Sequence, residues 1–276
     1  MSIKSILLHL ANDDRHAQRL EVAQALARRH GAHLDILYIA TPVSMPAAIT
    51  GRGASYAFLA EATAIAHEKA EEIRERLMPL CADISHSWSV AEGDHVELLA
   101  KRAAYADLAV VSQSHPETVE DRISLHLTDR LPLVAPCPTL VIPWKARVPS
   151  VATHVLVGWK NTRETATALR GALPVLVAAE RVTVLTIEDP EAPSEDGKDL
   201  IRYLGHHGVR AELRRNLADD VSSEDAGEIM LEVGREIGAD ALVMGCYGHS
   251  RLRELVLGGA TRHVLGHMDM PVFMAH

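Results

Sequence analysis

The residues best placed to do chemistry lie near the carboxyl end of the chain, in Asp240-Ala-Leu-Val-Met-Gly245-Cys-Tyr-Gly248 and in Gly258-Gly259-Ala260-Thr261, with a short basic excursion between them. An apolar run that ends on a glycine, followed by a second glycine pair at a predicted helix start, is a layout suited to an anion. Glycine lets backbone N–H groups approach a ligand and permits positive φ, while a helix N-terminus presents unpaired N–H groups with partial positive charge. A phosphate between Gly245/Gly248 and Gly258/Gly259 would meet donors from two sides. The same glycines also suit plain turns and a flexible joint before a helix. Neither G-x-x-x-x-G-K-[ST] nor G-x-G-x-x-G occurs in the chain.

Parallel strands and their helices must position such a segment, and the apolar pattern supplies them. In the first half, strands are predicted at 3–11, His33 to Ile39, His86 to Val90, Asp107 to Val111 and Thr139 to Trp144. Helices fall between them: one opened by Asn12-Asp13-Asp14 and closed by Gly31, one from about Tyr56 to Leu80, one capped by Asp94, and a short one near Thr128. After a linker at Lys145 to Ser150 the order starts again. Strands are predicted at Thr153 to Trp159, Val182 to Ile187, Arg210 to Asn216 and Ala241 to Gly245, and Ser222-Ser-Glu-Asp225 caps the helix that runs to Gly238.

The two halves superpose. Lys4-Ser-Ile-Leu-Leu matches Thr153-His-Val-Leu-Val, and Ser112, Thr128 and Pro138 match Gly245, Thr261 and Pro271 with one shared offset of 133 residues. This predicts an α/β chain of two tandem, mainly parallel five-stranded sheets with helices on both faces, Rossmann-like, occupying 1–146 and 151–276. The halves are expected to pack as an internal pseudo-dimer through their last strands, Thr139 to Trp144 and Val272 to Ala275, and two chains could associate further. In such sheets ligands sit beyond the strand carboxyl ends, where Asn161, Ile187 and Gly245 fall.

Composition narrows the function classes. The 276 residues are 47% apolar and 4% aromatic, so the core is aliphatic, and a formal charge of −9 argues against a nucleic-acid surface. No apolar run approaches the ~18 residues of a membrane span, and the opening residues do not form a signal peptide, so a cytoplasmic protein is expected. Cys81, Cys137 and Cys246 are odd in number and far apart, which disfavours a disulfide framework. Cys246 alone, beside a predicted helix start, could have a lowered thiol pKa, though burial is the leading reading. Among 16 histidines, His263 and His267 have the i, i+4 spacing of a metal clamp, but nothing completes a ligand set. No G-x-S-x-G nucleophile turn is present.

On these residues the second half resembles the universal stress proteins. Their nucleotide-binding members carry G-x2-G-x9-G followed by a small hydroxyl residue, which Gly245, Gly248 and Gly258 match, and both halves share a Pro before the last strand, at Pro138 and Pro271. The resemblance implies ATP as ligand, alone or with Mg²⁺. It places Gly245, Gly248, Gly258, Gly259, Ala260 and Thr261 around the phosphates and Ile187 against the adenine, and it counts Met244 among the nucleotide-binding residues. Arg251 and Arg253 would screen phosphate charge or be solvated. Two departures stand out: Lys160 occupies the place where the family usually has an aspartate facing the adenosine, and Gly259 replaces a serine or threonine. In the first half Ser112, His115, Leu125 and His126 stand where the second half has glycines, so no ATP is expected there. A nucleotide-free docking protein and a weak ATPase are the alternatives.

Overall fold

The computed structural model describes residues 2–13, 15–40, 56–114, 127–145, 148, 150–192, 194–218, 221–246 and 258–276, with backbone alone at 56–60 and 62. The first half runs β1 (Ser5–Leu10), α1 (His16–His30), β2 (His33–Ile39), α2 (Tyr56–Leu77), β3 (His86–Ala91), α3 (His95–Ala103), β4 (Leu108–Ser112), α4 (Leu127–Val134) and β5 (Thr139–Ile142). The second half repeats it as β6 (His154–Gly158), α5 (Arg163–Ala178), β7 (Arg181–Glu188), α6 (Asp196–His206), β8 (Ala211–Leu217), α7 (Ser223–Ile237), β9 (Ala241–Gly245), α8 (Gly259–His267) and β10 (Val272–Ala275).

The strands form one ten-stranded sheet in the order β3-β2-β1-β4-β5-β10-β9-β6-β7-β8. Every neighbouring pair is parallel except β5 with β10, which run antiparallel with Phe273 opposite Leu140. The two five-stranded sheets expected from the repeat are therefore continuous through their last strands, as the pseudo-dimer reading anticipates. Residues alternate between two aliphatic cores: Ile6, Leu8, Ala241 and Val243 face one, Leu7, Leu242 and Met244 the other. The first core is closed by α1, α2, α5 and α6, the second by α3, α4, α7 and α8.

Matching aspartates pin matching strands. Asp107 Oδ2 accepts from the N–H groups of Lys4 (2.7 Å) and Ser5 (3.0 Å), and Asp240 Oδ1 from those of Thr153 (2.8 Å) and His154 (2.9 Å). Helix ends follow the expected chemistry in most places: Gly31 and Gly238 close α1 and α7 at φ 62 and 67, and Ser222 caps α7 in a reciprocal capping box with Asp225. The start of α1 differs. Its N-cap is Arg15, without a side-chain cap, because the Asp13 carboxylate is drawn to the Arg19 guanidinium at 2.6 Å and accepts the Arg15 N–H at 2.8 Å.

The halves also meet through one pair of equivalent contacts. Gln113, just past β4, donates from Nε2 to the Leu265 carbonyl on α8 at 2.6 Å. Its counterpart Cys246, just past β9, points its thiol at the Pro132 carbonyl on α4 at 4.0 Å. The two contacts are related by the repeat, so the interface is self-complementary. The glutamine version is the stronger, since it is short and its Oε1 also accepts the Trp144 N–H at 3.0 Å.

A buried polar network occupies the carboxyl ends of β1 and β4. Arg19, 1% exposed, donates to Asp13 and to the Ser112 hydroxyl at 3.0 Å, and His9 Nε2 lies 3.0 Å from His95 Nδ1. Burial lowers the His9 imidazole well below its ordinary value, and the charges of Arg19, His95 and Arg15 add to this. Burial likewise takes His95 down to about 4, against the opposing pull of Asp94.

Replacing Gln113 with alanine leaves the Leu265 carbonyl without that donor and is expected to cost about 1–3 kcal/mol, read as a lower unfolding midpoint in denaturant. The histidine pair sets a pH dependence. Both rings are harder to protonate in the fold than in the unfolded chain, so their contribution is complete above the unfolded value of about 6.5 and is lost as pH falls through the folded values. Thermal stability should decline on acidification from about pH 6.5 toward 4, and His95→Gln should make that decline shallower.

Candidate functional site

A cavity of ≈ 370 Å³ opens beyond the carboxyl ends of β6, β7 and β9. β6 lies between the other two, and the chain leaves it toward β7 on one side and returns to β9 on the other, which is the crevice where open α/β sheets take ligands. Leu185 and Ile187 form the β7 wall, and Met244 and Gly245 the β9 wall. Trp159 and Lys160 follow β6, and the starts of α5, α7 and α8 close the rest.

Lys160, Ile187, Met244, Gly245, Gly258, Gly259, Ala260 and Thr261 all line this cavity. Gly248, Arg251 and Arg253 lie outside the described residues, as do His115, Leu125 and His126 of the first half. Sequence reasoning overlooked Thr162, Glu164 and Thr165 at the start of α5, Val221 to Ser223 at the start of α7, and Met230. A signal existed: Thr162 is the N-cap of the helix that follows β6, and Ser222 the N-cap of the helix that leads into β9, two strands whose carboxyl ends carry the site.

The structure corrects the reason for the glycines. Among the described residues the glycines with positive φ are Gly31, Gly93, Gly208 and Gly238, none of them in the cavity, and Gly258 has φ −58 and ψ 142. What the site needs is close approach. A Cβ on Gly245 would fall against the backbone nitrogen of Thr165, and one on Gly259 would lie 2.9 Å from the Glu224 nitrogen and 3.1 Å from Ser223 Cβ. The absence of a hydroxyl residue at 259 thus follows from how tightly α8 starts against α7.

That crowding aims helix starts at one volume. Gly258 caps α8 without a side-chain hydrogen bond, so the N–H groups of Gly259, Ala260 and Thr261 precede the first helical bond, from Arg262 to Gly258 at 3.0 Å. Lys160 and Glu164 are the charged residues among the described lining. Leu185 and Ile187 of β7 and Met230 of α7 give the lining an apolar wall, with Ser222 and Ser223 beyond it at the start of α7. The cavity therefore pairs an apolar wall with an anion-seeking helix start.

Cys246 takes no part in this chemistry: it is fully buried, and burial pushes its thiol up to about 12. The possibility of a lowered value at a helix start is overturned, because desolvation of the thiolate outweighs the helix field. His263 and His267 stack at 4.4 Å between ring centroids, with His267 Nδ1 2.9 Å from the His263 carbonyl. The described residues hold no group of three His, Cys, Asp or Glu able to bind a metal, and no described helix is long and apolar enough to cross a membrane.

In the first half the register places His9, Asp13, His95 and Ser112 at the positions of Gly158, Thr162, Ser223 and Gly245. The buried network thus occupies the ground that the second half leaves open.

Comparison with known proteins agrees with this architecture. A universal stress protein of Synechocystis sp. is 22% identical, with 98% of this chain and 99% of that protein aligned. The crystal structure of a universal stress protein from Archaeoglobus fulgidus superposes with a TM-score of 0.75 at 15% identity, covering 98% of this chain and 97% of the other. A Pseudomonas aeruginosa protein of unknown function superposes with a TM-score of 0.58 at 18% identity, covering 99% and 92%. The sequence matches the universal stress protein family over residues 2–143 and again over 152–276, and the chain belongs to that family.

Proposed function

We propose that the chain binds an adenine nucleotide, ATP or a close relative, in the second-half cavity and acts as a ligand-dependent regulator or protectant in stress. The observation that supports this best is the convergence of Lys160, Ile187, Met244 and the described members of the glycine segment on one cavity. A purine suits the apolar wall of Leu185, Ile187 and Met230, and phosphate oxygens suit the open N–H groups of α8. The polar network of His9, Asp13, Arg19 and Ser112 favours one nucleotide per chain.

The test is the nucleotide content of the purified protein, released by heat and separated by chromatography, followed by titration with ATP, ADP and AMP. About one adenine nucleotide per chain is expected; no binding at millimolar ATP would favour a docking surface instead. Gly258→Val should abolish binding in the same titration, because φ −58 and ψ 142 admit any residue while the added methyls stand where Gly258 lines the cavity. Gly245→Ala differs: its Cβ meets the Thr165 backbone, so stability should fall by about 1–3 kcal/mol. Phosphate release above the Gly258→Val control would reveal turnover.

A further inference from the structure

The cavity has two chemically different ends, and Lys160 stands between them. It follows β6, which lies between β7, carrying the apolar wall, and β9, carrying the glycines that lead to α8. Its side chain is exposed and makes no ion pair or hydrogen bond with a described residue. At the α8 end, the hydroxyl residue Thr261, 2% exposed, lines the cavity. Beside it lie the open N–H groups of Gly259, Ala260 and Thr261. A hydroxyl residue grouped with open N–H donors suits an anionic oxygen, and a helix start alone supplies only about half a unit of positive charge.

We propose that Lys160 is the specificity-determining residue of the cavity: its ammonium meets a phosphate seated on the start of α8, so that phosphorylated adenosine is selected over adenosine. The proposal rests on the adenine-nucleotide reading above. The chemistry is a matter of donors and charge. An ammonium offers three donors and no acceptor, so it gains nothing from a purine amino group and much from a phosphate oxygen. A carboxylate in its place would do the reverse. Glu164, the anion in the described lining, adds repulsion toward phosphate, and Lys160 offsets it. Discrimination accordingly shifts from the base to the phosphate.

Calorimetric titration of the full chain with adenosine and with AMP, in EDTA so that no metal ion substitutes for the lysine, tests this. The wild type should bind AMP more tightly than adenosine. Lys160→Met should weaken AMP by about ten-fold or more, the value of one charge-assisted hydrogen bond, and leave adenosine unchanged, while Lys160→Arg keeps most of the preference. The melting temperature should not move, because the side chain is exposed. Equal losses for adenosine and AMP in Lys160→Met would assign the residue to packing and overturn the proposal, and so would unchanged AMP binding. A wild type that binds adenosine and AMP equally also overturns it while leaving the nucleotide reading intact. Absence of any adenine ligand binding ends both.

Discussion

In the second half, helix starts are pressed so closely onto neighbouring backbone that two positions have no room for a side chain. A Cβ on Gly245 would meet the backbone of Thr165, and one on Gly259 the backbone of Glu224. This crowding brings α5, α7 and α8 to a common volume, and their open N–H groups with them. Had either of these positions carried a side chain, the helix facing it would have to withdraw by a few tenths of an ångström or more, and the donors would no longer converge. The cavity follows from sheet geometry, because parallel strands send all their carboxyl ends, and the helix starts beyond them, to one edge.

The first half uses the same scaffold for the opposite purpose. His9, Asp13, His95 and Ser112 stand where the second half has small or hydroxyl residues, and Arg19 joins them from α1. Burial by itself would raise the Asp13 carboxyl, and the Arg19 guanidinium overrides it and holds the carboxyl below its ordinary value. A buried ion pair of this kind gains little over apolar packing but is costly to leave half-made. Its members are consequently bound to one another, and the space is committed to protein.

The antiparallel pairing of β5 and β10 joins a filled half to an open one without interrupting the sheet. Gln113 then ties the end of β4 to the last turn of α8, the helix whose first turn lines the cavity. The equivalent Cys246 contact is longer and sulfur-mediated, so the interface is symmetric in position and asymmetric in strength.

Periodicity and repetition determined the architecture. Alternating aliphatic runs, the shared offset from Ser112 to Gly245 onward, and the caps at Asp94, Ser222 and Gly238 are local features, and local features survive without tertiary context. The glycine segment likewise marked residues that line the cavity. Tertiary structure decided why Gly245 and Gly259 are needed, since neither has a positive φ and the neighbouring helix starts forbid a Cβ. It also decided that Asp13 answers to Arg19 instead of capping α1, and that Glu164, Ser222 and Met230 share a cavity with Gly258. The cavity contacts join residues dozens of positions apart, and no spacing along one chain encodes how closely two separate helices approach.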